Sequence, residues 1–122
     1  MPEITIDGQP VAVADGATLL DAARQIGLDI PTLCYCEGLK PSTSCLVCIM
    51  KVDGKMAPSC ATRAVDGMVV ESETAEVHDA RRCALELLLS EHVGDCRAPC
   101  QFTCPAGLDI PVMLRQIQAG DI

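Results

Sequence analysis

Cys34, Cys45, Cys48 and Cys60 bring four thiols into one short stretch, with Cys45 and Cys48 forming a Cys-x-x-Cys bite. Thiolates closing on one inorganic core need a short bite and a pliant backbone, and the Gly, Pro and Ser residues between Gly38 and Ser44 supply the second. A second run, His92-Val-Gly-Asp-Cys96-Arg-Ala-Pro-Cys100-Gln-Phe-Thr-Cys104-Pro105, offers an imidazole and three further thiols as ligands near the C-terminus. Two such sets in one chain point to the carrying of electrons. On spacing alone the first set suits an iron–sulfur cluster, with tetrahedral Zn²⁺ as the competing occupant. Zinc modules commonly show two short bites, and this set has one.

Composition narrows the setting. The chain has 122 residues, enough for one ordinary domain or a small domain with an appendage. Nearly half of it is apolar, yet Tyr35 and Phe102 are its only aromatic residues, so the core must be aliphatic. Seventeen acidic residues against nine basic ones leave a net charge of −8, which argues against nucleic acid or an anionic membrane as partner. Nine cysteines are an odd number, and any disulfide scheme would strand one of them. The N-terminus reads as a strand rather than a signal peptide, and no apolar run approaches the length of a membrane span. A reducing cytoplasm is the expectation, and there clustered cysteines more often bind metal than pair covalently.

The elements that must position these ligands follow from local patterns. Ile4-Thr5-Ile6 and Val11-Ala12-Val13 flank Asp7-Gly8 and predict a β-hairpin. Ala17 to Ile26 predicts a helix with Leu19, Leu20, Ala23 and Ile26 on one face, stopped by Gly27. A loop carries Cys34 to Cys45. Val47, Ile49 and Val52 then predict a strand that turns at Asp53-Gly54 and returns over Met56 to Ser59. Met68-Val69-Val70, after Asp66-Gly67, reads as the last strand. A long helix is expected from about Thr74 to His92, with Val77, Ala80, Ala84, Leu87 and Leu88 near one side. Gly94 to Pro105 reads as a cysteine-bearing loop, and a short amphipathic helix with Ile110, Met113, Leu114 and Ile117 follows Asp109. The fold class is α+β: a mixed body over residues 1–72, then a helical arm over 73–122.

The stretch Ile30-Pro31-Thr32-Leu33-Cys34-Tyr35, Cys45-x-x-Cys48, Cys60-Ala61-Thr62 and Asp66-Gly67-Met68-Val69-Val70 resembles the N-terminal domain of iron-only hydrogenases. The same domain occurs in the large iron–sulfur subunit of complex I and in NAD-linked formate dehydrogenases. The resemblance continues through Arg81, Leu85 to Leu89 and Ser90-Glu91-His92, about three quarters of the chain. It implies a β-grasp ferredoxin-like fold in which Cys34, Cys45, Cys48 and Cys60 ligate a [2Fe–2S] cluster. Leu46 departs from the family, which usually has Arg there; that bears on potential and docking more than on the ligand set. Cys36 and Cys83 receive no role and are expected to be structural, Cys83 as a small apolar residue inside the long helix.

In the resembling hydrogenases, a His and three Cys after the long helix hold a [4Fe–4S] cluster. This chain keeps His92-x-x-x-Cys96 and then changes pattern. Ala98 to Pro111 instead resembles the cluster segment of the glutamate synthase small subunit and dihydropyrimidine dehydrogenase, where cysteines are shared between two clusters. Two assignments stand open. His92, Cys96, Cys100 and Cys104 hold one [4Fe–4S] cluster by themselves, or Cys104 belongs to a cluster completed elsewhere. An exposed His at a helix C-terminus, where a partly charged ring suits the dipole, is the competing account of His92.

No G-x-G-x-x-G follows a strand, and no nucleophile stands beside a base, so an independent catalyst is not expected. The reading is an electron-transfer subunit or domain within a multi-subunit NAD(P)H-linked oxidoreductase of hydrogenase, formate dehydrogenase or flavoprotein type. Its expected partners are a flavoprotein or NAD(P)H-oxidising subunit and a catalytic redox subunit. The alternatives are a zinc-stapled interaction module and the N-terminal part of a flavin-dependent oxidoreductase whose chain runs on past Ile122.

Overall fold

Two Asp-Gly pairs organise the sheet. At Asp7-Gly8 (φ 48° and 82°) and Asp53-Gly54 (φ 47° and 82°) both central residues are left-handed, the backbone that a two-residue hairpin with native twist requires. The first turn joins β1 (Glu3–Ile6) to β2 (Gln9–Ala12), and the second joins β3 (Ile49–Val52) to β4 (Lys55–Pro58). The computed structural model describes residues 1–94 and 97–121. Between the hairpins lies β5 (Val69–Glu71), parallel to β1 and antiparallel to β3, so the five-stranded order is β2-β1-β5-β3-β4.

Both turn aspartates reach β5. The Asp7 carboxylate accepts from the Ser72 amide at 2.7 Å and from the Ser72 hydroxyl, while Asp53 Oδ1 accepts from the Val69 amide at 3.0 Å. One residue type therefore makes the turn and ties the central strand on either side.

Helix α1 (Leu19–Gln25) starts two residues later than its apolar pattern suggests, because Thr18 is its cap. Asp21 N–H donates to Thr18 Oγ1 at 3.2 Å and Thr18 N–H donates to Asp21 Oδ2 at 2.9 Å, a reciprocal capping box. The helix buries Leu19, Leu20, Ala22 and Ala23 against Ile4, Ile6, Val11, Met50 and Val70 of the sheet. This mixed sheet with its crossing helix is the β-grasp ferredoxin-like arrangement that the resemblance implied.

Helix α2 (Ala75–Ser90) is the expected long helix; Val77 and Ala84 of its expected face are buried, whereas Leu87 and Leu88 are exposed. Val77, Arg81 and Ala84 turn inward, at i, i+4 and i+7, while Leu87 is 64% and Leu89 69% exposed. Cys83 is also exposed, so it is not the buried apolar filler expected from the sequence. Lys51 Nζ reaches Glu76 Oε2 at 2.6 Å and Arg81 Nε–H donates to the Ile49 carbonyl at 3.0 Å, both joining α2 to β3. Val47 is buried in a turn before β3 rather than on the strand.

The chain divides into two compact units, Met1–Ser90 and Glu91–Ile122. The sequence reading set a boundary at residue 72; by its contacts α2 goes with the first unit. In the second unit the expected loop contains a short helix, α3 (Pro99–Thr103). Pro99 at its first turn has no N–H to leave unpaired, and the Thr103 hydroxyl donates back to the Pro99 carbonyl at 2.9 Å. Helix α4 (Ile110–Ala119) follows, capped by Asp109, whose Oδ1 accepts from Val112 N–H at 3.1 Å and whose Oδ2 accepts from Gln101 Nε2 at 2.9 Å. Among the described residues no helix is long and apolar enough to cross a membrane.

Candidate metal centre

Three separate segments deliver the first four cysteines. Cys34 lies in the loop after Pro31, Cys45 and Cys48 close the turn that leads into β3, and Cys60 follows β4. Cys45, Cys48 and Cys60 are buried, at 6%, 2% and 1% exposure, and Cys34 is half-buried. The Cys-x-x-Cys bite turns at Leu46, whose φ of 57° is left-handed. The Val47 amide then donates to Cys45 Sγ at 3.5 Å, and the Cys34 amide donates to the same sulfur at 3.4 Å. Amide N–H groups aimed at a sulfur stabilise its thiolate and tune a cluster bound to it.

Cys60 is held from outside the loop. Ser59 N–H donates to the Cys48 carbonyl at 3.2 Å, and the Ser59 carbonyl accepts from Leu20 N–H at 3.1 Å. Leu19 N–H donates to the Thr62 carbonyl at 2.9 Å, so the first turn of α1 brackets Cys60 on both sides. Unfilled amides at a helix start need acceptors, and here the Cys60 segment supplies them.

The four thiols sense one another. The Ser42 hydroxyl, then the Cys45 amide and thiol, draw the Cys34 pKa from 9.0 down to about 6. Burial, then a hydrogen bond with Cys48 and the charges of Cys48, Cys34 and Cys45, push Cys60 up to about 12. Their direct contacts form two pairs, Cys34 with Cys45 and Cys48 with Cys60. Among the described residues no group of three or more His, Cys, Asp or Glu converges on a single-ion site. Paired thiols with amide donors fit a two-iron core, which takes two protein ligands on each iron.

These opposed shifts set a pH dependence for the metal-free chain. Cys34, lowered on folding, contributes stability that is fully present above 9.0 and is lost as pH falls through about 6. Cys60, raised on folding, contributes stability fully present below 9.0 and lost as pH rises through about 12. The urea midpoint of the reduced, metal-free chain should therefore rise between pH 6 and 9, and Cys34→Ser should flatten that rise. Midpoints measured by circular dichroism across this range check it; an identical slope in the variant would assign the rise to other groups.

The second predicted set is described in part. Cys100 sits exposed on α3 and half-buried Cys104 caps its C-terminus, one turn away, so both thiols lie on one side of the helix. Arg97 stacks over the Phe102 ring at 4.7 Å on the same short segment. His92 lies before this segment, and Cys96 lies outside the described residues. Cys36, without a role in the sequence reading, is exposed beside the first set.

Sequence reasoning gave no separate role to Ser59 or Arg81. Both are buried polar residues at the back of the cysteine loop, and each has a buried side-chain atom without a hydrogen-bond partner. An Arg four residues after Val77, on the apolar side of a helix, was the available signal for the second.

Comparison with known proteins gives a consistent picture. Residues 2–75 match the family model described as a 2Fe-2S iron-sulfur cluster binding domain. The chain is 50% identical over 103 residues to the NADP-reducing hydrogenase subunit HndD of Solidesulfovibrio fructosivorans, covering 79% of this chain and 18% of that protein. It is 38% identical over 94 residues to the gamma subunit of the NAD-reducing hydrogenase HoxS of Cupriavidus necator, covering 77% and 40%. It is 39% identical over 98 residues to the NADH-ubiquinone oxidoreductase 75 kDa subunit of Reclinomonas americana, covering 79% and 14%. A crystal structure of an NAD+-reducing [NiFe]-hydrogenase in the H2-reduced state superposes with a TM-score of 0.70 at 32% identity, over 78% of this chain and 41% of that one. The chain thus spans less than half the length of these relatives.

Proposed function

The chain belongs to the 2Fe-2S iron-sulfur cluster binding domain family, and from that premise we propose that it relays single electrons inside a multi-subunit NAD(P)H-linked oxidoreductase. The family's cofactor is a [2Fe–2S] cluster. Cys34, Cys45, Cys48 and Cys60 would hold it, as the two thiol pairs Cys34 with Cys45 and Cys48 with Cys60. The observation that carries this reading is the convergence of three segments on two thiol pairs, one of them served by amide donors. When bound, the cluster supplies a one-electron couple that needs no proton. The protein's own part is to exclude water from three of the four sulfurs and to fix them before the metal arrives.

The partners in this reading are a flavoprotein or NAD(P)H-oxidising subunit as donor or acceptor and a catalytic redox subunit on the other side. Relatives that are hydrogenase and NADH-oxidoreductase subunits support that setting. A reducing cytoplasm suits thiols left unpaired. His92, Cys96, Cys100 and Cys104 are proposed as ligands of a [4Fe–4S] cluster, supported by the one-turn spacing of Cys100 and Cys104.

Iron, acid-labile sulfide and EPR spectra of anaerobically purified protein test both parts. About two irons per chain leave the first cluster alone, and about six add the second. His92→Ala should alter the second EPR signal and spare the first; if neither changes, His92 is not a ligand. Folded, oxygen-protected protein that is colourless and iron-free overturns the whole reading.

A further inference from the structure

Arg81 is 7% exposed on the inward face of α2. Its Nε–H donates to the Ile49 carbonyl at 3.0 Å, and its Nη2 is buried without any acceptor. Enclosing a guanidinium is costly, and leaving one of its N–H groups unpaired adds to that cost. Packing does not call for it, since the flanking inward residues Val77 and Ala84 are apolar and a Met would fill the same space. Burial works against the charge, while Glu73, Cys48 and Asp7 hold it in place. Two of these three are carboxylates with other duties: Asp7 already accepts from Ser72, and Glu73 pairs with His78 at 3.2 Å. The third is a cysteine of the buried pair. Ile49, which anchors the guanidinium, is the residue next to that cysteine in the chain.

A cluster held by four thiolates is anionic and becomes more so by one charge when it accepts an electron. A fixed cation in a dry interior favours the more negative state, and salt screens it little. We propose that Arg81 is a positioning residue that raises the reduction potential of the [2Fe–2S] centre from behind Cys48, by fixing the Ile49 peptide and placing a buried positive charge beside it. This rests on Cys48 being a ligand of that centre.

The test is a mediated potentiometric titration of the anaerobic, cluster-loaded full chain, followed by EPR, with Arg81→Gln and Arg81→Lys beside the wild type. Gln keeps a donor for the Ile49 carbonyl and removes the charge; Lys keeps the charge. Arg81→Gln should shift the balance of oxidised over reduced cluster at a fixed potential by at least about tenfold, equal to about 59 mV for a one-electron couple. Arg81→Lys should recover most of that shift. An unchanged potential in the Gln variant overturns the proposal, as does an equal fall in both variants. Loss of the fold or of the cluster from Arg81→Gln also overturns it, because the residue would then be a structural requirement. A wild-type chain without iron, by contrast, would sink the functional reading before Arg81 was tested.

Discussion

Cys60→Ala should strip the first cluster from the protein. Changes in groups that merely support a ligand cost about 10- to 100-fold in metal retention, so loss of a direct thiolate must cost more. The sulfur concerned is 1% exposed, bracketed by the start of α1, and paired with Cys48, so no solvent ligand can replace it without opening the fold. Iron and sulfide attributable to the [2Fe–2S] centre should fall to near zero with its EPR signal, while far-ultraviolet circular dichroism keeps the wild-type shape. Cys36→Ala and Cys83→Ala, both at exposed positions, should leave metal content unchanged. Retention of a full cluster by the Cys60 variant would remove that residue from the ligand set.

Leu20→Ala should be among the most damaging core changes outside the cysteines. The side chain is wholly buried between α1 and the sheet, and truncations of this kind cost about 2–5 kcal/mol through lost burial and the cavity left behind. Against a typical domain stability of about 5–15 kcal/mol, that is a large fraction. The bond from Leu20 to the Ser59 carbonyl is made by the backbone amide, which Ala retains. Chemical denaturation should show the loss of stability, while cluster content at low temperature stays close to wild type. A variant that is stable but metal-poor would show that Leu20 packs the site rather than the core.

The parts of this molecule that were legible in the sequence are those fixed by neighbours in the chain. Asp7-Gly8 and Asp53-Gly54 announce their hairpins because the turn conformation depends on those residues alone. The cysteines announce a site because few other chemistries need that spacing. Their division into pairs was not legible, since it depends on Ser59 and on the first turn of α1, both distant in sequence from Cys34. The buried side of α2 was legible only in its N-terminal part, at Val77 and Ala84, for a related reason. Leu87-Leu88-Leu89 puts apolar groups on several sides of the C-terminal end, so periodicity cannot choose a face there, and contact with β3 adds Arg81 to the expected Val77 and Ala84. Helix α3 escaped notice because Pro99 and Thr103 read as loop residues, and their roles at the helix ends emerge only with Thr103 bonded back to Pro99. Local rules name the parts; long-range contacts assemble them.

The sheet is completed in an order opposite to its layout. During synthesis both hairpins leave the ribosome before Val69–Glu71, the segment that lies between them in space. Until that segment is translated, the ligand-bearing half is tied to the first hairpin only through α1, whose Leu19 and Leu20 amides reach the Thr62 and Ser59 carbonyls, and the sheet itself stays in two pieces. The four cysteines therefore stand beside one continuous sheet only after residue 71 has been made.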